Sequence, residues 1–151
     1  MTTTTIPPFQ EAGQKIIPIG AGVSFQWLHD GKIIAFTAEN VTRSAVDAWT
    51  DAVIAAETTY FTDRPVRLLI DIGTLPLTPY NRKRSEEVVQ RTSHLYGKTA
   101  VVLRPSVISH TIRFFVENLL KRSGSTFERR IFFARNVAIE WLLEKHPREG
   151  A

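Results

Sequence analysis

From Val23 onward the spacing of apolar residues switches repeatedly between two and about three and a half. Only alternating strands and helices satisfy both periods in one chain, so the class is α/β. Val66 to Ile72, bounded by Pro65 and Gly73, and Thr99 to Leu103 are nearly continuous apolar runs, the pattern of strands buried on both faces. Ser24 to His29 and Lys32 to Ala38 flank Asp30-Gly31, a pair that tolerates positive φ and predicts a β-hairpin with a type I′ turn. Ser44 with Asp47 resembles a capping pair, and Ala45, Ala48, Trp49, Ala52, Val53 and Ala56 then mark one helical stripe.

Thr78 before Pro79 places a capping oxygen next to a residue preset for the first helical turn and predicts a helix to about Tyr96. Its first half is unusually polar, with Arg82, Lys83, Arg84, Glu86 and Glu87, which leaves few anchors and a mobile start. Ile108, Ile112, Phe115, Val116, Leu119 and Leu120 form the strongest helical stripe, ended by Gly124. Phe127 to Ala134 reads as the last strand, and Asn136 as the cap of a short helix carrying Ala138, Trp141 and Leu142 before Pro147. The order is ββαβαβαβα. It implies a mostly parallel five-stranded sheet whose antiparallel edge strand comes from the hairpin.

If the crossover helices gather on one face, the apolar strands need a cover on the other. Either the segment Ile16 to Val23 or a second copy in a homodimer supplies it. Leaving several Leu, Val and Ile side chains wet would forfeit several kcal/mol, at roughly 25 cal/mol per Å². Residues 1–22 are read as an extension that packs on or frays from a single domain spanning residues 23–151. At 151 residues, 43% of them hydrophobic and 23% charged, the chain is long enough for one core and ordinary enough to fold alone. No stretch approaches the ~18 to 20 apolar residues of a membrane span. Thr2 to Thr5 and the interruptions at Pro7, Pro8 and Pro18 do not make a secretion signal, which predicts a cytoplasmic protein.

Nineteen Lys and Arg against fifteen Asp and Glu give a net charge of +4, which favours acidic partners. The absence of cysteine excludes disulfides, thiolate catalysis and Cys-ligated zinc. His29, His94, His110 and His146 are scattered, so no metal site is expected. Gly97-Lys98-Thr99 imitates the end of a phosphate-binding loop but precedes a strand, and Gly20-Ala21-Gly22 lacks the third glycine of a dinucleotide fingerprint. No cofactor is implied. Ser106 and His110 lie one turn apart, close enough for nucleophile and base, yet without a Gly-x-Ser-x-Gly elbow Ser106 reads first as a cap. Arg82, Lys83, Arg84, Arg91, Arg104, Arg129 and Arg130 are the basic residues of a charged face. Phe114, Phe115, Phe132 and Phe133 occupy core elements, so the stacking platform that nucleic acid requires is missing.

The strand ending Leu69-Ile70-Asp71 before a polar loop, and the ending Phe132-Phe133-Ala134-Arg135-Asn136-Val137-Ala138-Ile139-Glu140-Trp141-Leu142, resemble the SpoIIAA-like group related to STAS domains, the sulphate transporter and anti-sigma-factor antagonist family. The resemblance covers about Val23 to His146 and implies a SpoIIAA-like fold and a regulatory role. In that family the loop after the Asp-bearing strand carries an Asp-Ser-Ser-Gly type motif whose Ser is the switch. Here the loop is Asp71-Ile72-Gly73-Thr74-Leu75-Pro76-Leu77-Thr78, with Thr74 and Thr78 as its hydroxyls and no such motif. Those two are the candidate phosphorylation sites. A phosphate on Thr78 would add charge of about −1.5 to −2 at a helix N-terminus near Arg82.

The expectation is therefore a non-catalytic regulatory module that binds a protein partner. Its surface would comprise Asp71, Thr74, Leu77, Thr78, Tyr80, Arg82 and Arg84, with Pro76, Leu77 and Tyr80 supplying apolar contact beside positive charge. Asp71 also reads as a residue that ties down the next loop. The alternatives are a small-molecule or lipid binder and, third, a hydrolase-like enzyme using Ser106 and His110, with Asp71 as its remaining candidate.

Overall fold

The computed structural model describes residues 5–76, 78–104 and 127–145. Along the chain run α1 (Phe9–Ala12), β1 (Ile17–Gly20), β2 (Val23–Leu28), β3 (Ile33–Ala38), α2 (Arg43–Tyr60), β4 (Val66–Gly73), α3 (Pro79–Arg91), β5 (Gly97–Leu103), β6 (Phe127–Phe132) and α4 (Arg135–Leu143). The expected helix around Ile108 to Leu120 lies outside the described residues.

The strands form one six-stranded sheet in chain order, antiparallel from β1 to β3 and parallel from β3 to β6. The α/β class stands, but the expected five strands become six. Ile17–Gly20 pairs with Val23 to Phe25 and takes the edge that the hairpin was expected to occupy. Positive φ at Gly20, Ala21 and Gly22 (110°, 55° and 79°) lets the chain reverse at once into β2. Pro18, which cannot donate to a ladder, sits in this outermost strand.

The β2–β3 hairpin turns as expected. Asp30 and Gly31 have φ of 56° and 84°, and the Lys32 amide donates to the His29 carbonyl across 3.1 Å. A Cβ on Gly31 would also lie 2.9 Å from the Cβ of Phe9, so α1 can lie against the turn only because the residue is glycine.

Alternation along the strands builds two cores. On one face Phe25, Trp27, Ile34, Phe36, Val66 and Leu68 pack under Ala45, Trp49, Ala52, Val53 and Ala56 of α2. On the other, Ile33, Ala35, Leu69, Ala100 and Val102 pack under Ala138, Trp141 and Leu142 of α4. The second face is thus covered by the last helix, and β1 instead turns Ile17 and Ile19 toward the α2 side. Burying side chains as large as Trp141 and Leu142 stabilises by roughly 1.5 to 3 kcal/mol each.

Two cations fix the end of α4. Lys98 is 3% exposed, and its Nζ donates to the carbonyls of Trp141 and Glu144 at 2.9 and 2.8 Å. Arg67 Nε donates to the Leu142 carbonyl at 2.8 Å. Both satisfy acceptors that a helix leaves open and place positive charge at the negative end of its dipole. The lysine of the phosphate-loop look-alike is therefore a buried capping residue.

Helix starts differ in detail from expectation. α2 is capped by Thr42, whose hydroxyl accepts from the Ala45 amide at 3.2 Å, two residues ahead of Ser44. α4 begins at Arg135 after Ala134, without a side-chain cap from Asn136. α3 starts at Pro79 as expected but ends at Arg91, and Leu95 is buried in the turn that follows. That turn must deliver Gly97 against Val66, where an added Cβ would lie 2.3 Å from the Val66 nitrogen and oxygen.

Candidate functional site

The loop after β4 and the helix it opens are organised by short polar contacts. Asp71, at the end of β4, accepts from the Gly73 amide at 3.2 Å through Oδ1, and its Oδ2 lies 3.4 Å from Nη1 of Arg135 on α4. It ties down its own loop and clips the start of the last helix. The Arg104 amide donates to the Gly73 carbonyl at 2.9 Å, joining the ends of β4 and β5. Thr78 accepts from the Asn81 amide at 3.1 Å, so its hydroxyl caps α3. Asn81 is buried and accepts from Ser85 at 3.2 Å, which closes the first turn.

α3 is attached to α2 by a charged seam. On α2, Arg43, Asp47, Thr50 and Asp51 recur at helical spacing and share a face. On α3, Tyr80, Arg84 and Glu87 do the same. The Tyr80 hydroxyl donates to Asp47 Oδ1, and the Arg43 guanidinium lies 4.4 Å from the Tyr80 ring centroid, a cation–π contact. Arg84 is the hub. Its Nη2 donates to Asp51 Oδ1 at 2.5 Å and to Thr50 Oγ1 at 2.8 Å, and its Nη1 donates to Glu87 Oε2 at 2.5 Å. Its Nε lies 3.4 Å from Asp47 Oδ1. The Thr50 hydroxyl accepts from Arg84 and donates to the Val46 carbonyl at 2.7 Å. Burial alone would lower the Arg84 pKa; Asp51, Glu87 and Asp47 outweigh it, and the net direction is upward.

The expected site residues therefore separate by direction. Tyr80 and Arg84 face α2 and are engaged within the chain. Asp71 and Thr78 hold backbone. Thr74 and Arg82 are exposed, as are Pro76, Pro79 and Lys83. Leu77, Ser106 and His110 lie outside the described residues. Of the basic residues, Arg84 and Arg129 turn inward and Arg130 covers the Trp141 ring at 5.2 Å. Among the described residues no group of three His, Asp or Glu gathers to hold a metal ion, and no helix is long and apolar enough to cross a membrane.

Sequence reasoning missed the receiving side of the seam: Asp47, Thr50 and Asp51. The recurrence of charge at 43, 47 and 51 along a helix was the available signal. It also missed Glu57, which follows Val46, Thr50 and Val53 on the inward face of α2 and is 1% exposed. A carboxylate in register with an apolar stripe was its signal.

In comparisons with known proteins, the chain matches no protein-family model, no curated protein and no solved structure.

Proposed function

We propose that the chain is a non-catalytic, cytoplasmic regulatory binding module that engages an acidic segment of a protein partner. It does so through the loop after β4 and the outward side of α3, with Thr74, Pro76, Arg82 and Lys83 as the contact residues. The observation that carries this reading is the division of α3 into two sides. Tyr80 and Arg84 turn toward α2, whereas Lys83 and Arg82 have solvent-exposed side chains, as do Thr74, Pro76 and Pro79. Positive charge presented from a pre-positioned helix steers an acidic partner and fixes its register. The resemblance of Leu69-Ile70-Asp71 and of the Phe132 to Leu142 ending to the SpoIIAA-like group is a second support.

The test compares native-lysate capture by the wild-type chain with capture by Arg82→Glu/Lys83→Glu. Partners are expected to be lost from the charge-reversed chain and to elute from the wild type with salt. An unchanged partner set, with circular dichroism showing an intact fold, overturns the surface assignment. A small molecule retained by the freshly purified chain in native mass spectrometry would favour the ligand-binding alternative.

A further inference from the structure

The segment Ile6-Pro7-Pro8-Phe9 lies between β2 and the end of α2 and is held as a docked peptide would be. Ile6 is 3% exposed and belongs to the core cluster that contains Trp27 and Phe61. The Trp27 indole Nε1 donates to the Pro7 carbonyl at 2.9 Å, and the Tyr60 hydroxyl donates to the Ile6 carbonyl. The Trp27 and Tyr60 rings meet edge to face with centroids 5.3 Å apart, and the Phe61 ring stands 6.4 Å from Trp27. Two consecutive backbone carbonyls are thus read by the polar tips of two packed aromatic side chains.

The two prolines preset this segment for such a reader. Each ring fixes φ at about −65°, and a following proline drives Ile6 and Pro7 toward extended backbone. Pro8 has φ −69° and ψ 163°, close to polyproline II. A polyproline II strand makes no hydrogen bonds of its own, so its carbonyls are open to outside donors, and aromatic-lined grooves bind it for that reason.

The walls of the cleft are joined by contacts that do not involve the segment. Arg64 Nε donates to the Tyr60 carbonyl at 2.9 Å and its Nη1 to the Gly31 carbonyl at 3.0 Å, and its guanidinium lies 4.5 Å from the Phe61 ring centroid. The end of α2 is thereby tied to the β2–β3 turn. Between the segment and β1, by contrast, Gln14, Lys15 and Ile16 are exposed, and Gly13 has a φ of 61°.

We infer that the cleft lined by Trp27, Tyr60 and Phe61 is a recognition site for proline-rich peptide, which residues 6–9 fill in cis as a built-in competitor. The occupant it takes in trans is a Pro-Pro segment of another protein, with a branched aliphatic residue before it for the buried place of Ile6 and an aromatic residue after it for that of Phe9. Both hydrogen bonds go to main chain, so selection comes from the preset backbone and the two apolar ends. A short tether gives the internal segment an effective concentration on the order of millimolar, and an outside peptide enters only by binding better or by holding a second contact. The site uses no residue of the loop after β4 or of α3, and it stands or falls apart from the surface proposed above.

The test is fluorescence polarisation of a labelled peptide, Thr-Ile-Pro-Pro-Phe-Gln-Glu-Ala, which copies residues 5–12, titrated with the full chain. Ile6→Ser/Pro7→Ala weakens the internal copy and leaves every residue of the cleft in place. It should bind the peptide about tenfold or more tighter than the wild type does. Adding Trp27→Phe, which keeps a ring and removes the Nε1 donor, should weaken that binding several-fold, as should replacing both prolines of the peptide with alanine. If circular dichroism shows the double variant unfolded, Pro7→Ala alone makes the same comparison. A folded variant that binds no tighter than the wild type, or that binds the alanine peptide equally well, overturns the proposal. A wild-type dimer that the peptide dissociates assigns the cleft to a second copy of this chain and overturns the choice of a separate partner.

Discussion

Arg84 Nη2 stands 2.5 Å from Asp51 Oδ1 and so joins α3 to α2 across 33 residues of chain. The same guanidinium reaches Asp47, Thr50 and Glu87, and Asn81 is the one residue of α3 itself that is buried. The helix is seated by charge far more than by apolar area, which makes its seating sensitive to ions.

Replacing Arg84 with Met keeps the length of the side chain and removes the hub. Because Asp47, Asp51 and Glu87 are well exposed, each pair contributes modestly, and the loss expected at low salt is about 1 to 2 kcal/mol. Urea unfolding of wild type and Arg84→Met at low and at molar salt checks this. The difference should shrink as salt rises; an equal difference at both would mean that packing holds the seam.

Thr78→Ala removes the cap of α3 and should lower stability by about 1 kcal/mol, with a comparable loss for Thr42→Ala at α2. Thr78→Ser keeps the accepting oxygen and should restore most of it. Thermal unfolding of the three variants beside the wild type measures the effect.

Glu57 makes stability depend on pH in a defined direction. Its carboxyl is raised from 4.5 to about 7 on folding, because burial outweighs the attraction of Arg129, so between those values the folded chain holds a proton that the unfolded chain has released. This contribution is fully present below about 4.5 and is lost as pH rises through about 7. Glu57→Gln, which stays uncharged, should match the wild type near pH 4.5 and exceed it by about 3 kcal/mol at pH 8. Chemical denaturation across that range is the measurement, and a variant less stable than the wild type at pH 8 would show that Arg129 needs the carboxylate more than burial resists it.

Gly97→Ala would force a Cβ to within 2.3 Å of the Val66 backbone at a φ of 144°. The start of the β4–β5 pairing cannot relax around it, and a loss of more than about 3 kcal/mol is expected. Gly13→Ala, where nothing lies within 4 Å of the added Cβ, should cost about 1 kcal/mol from its φ of 61° alone. Comparable unfolding midpoints for the two variants would remove steric contact as the reason for glycine at 97.

Strands buried on both faces were legible because Val66 to Ile72 needs no partner to look apolar, and the Asp30-Gly31 turn was legible because its chemistry is local. β1 was not, since four residues containing Pro18 and ending in glycine display no period. The covering role of α4 was missed because Ala138, Trp141 and Leu142 make a thin stripe whose importance lies in the face it meets. The inward turn of Arg84 could not be read from α3 at all. Its acceptors are on another helix, and only the fold reveals that Asp47, Thr50 and Asp51 stand opposite it. Glu57 and Arg129 share that difficulty over a still longer stretch of chain.

The agreement between sheet order and chain order bears on how the molecule is made. On a ribosome every strand emerges beside a neighbour that is already outside, so no early strand waits for a late one to slip between it and its pair. The exception is the α4 face. Leu69, Ala100 and Val102 stay without their α4 cover until Trp141 and Leu142 emerge, and that interval is when the nascent chain most needs shelter from its neighbours.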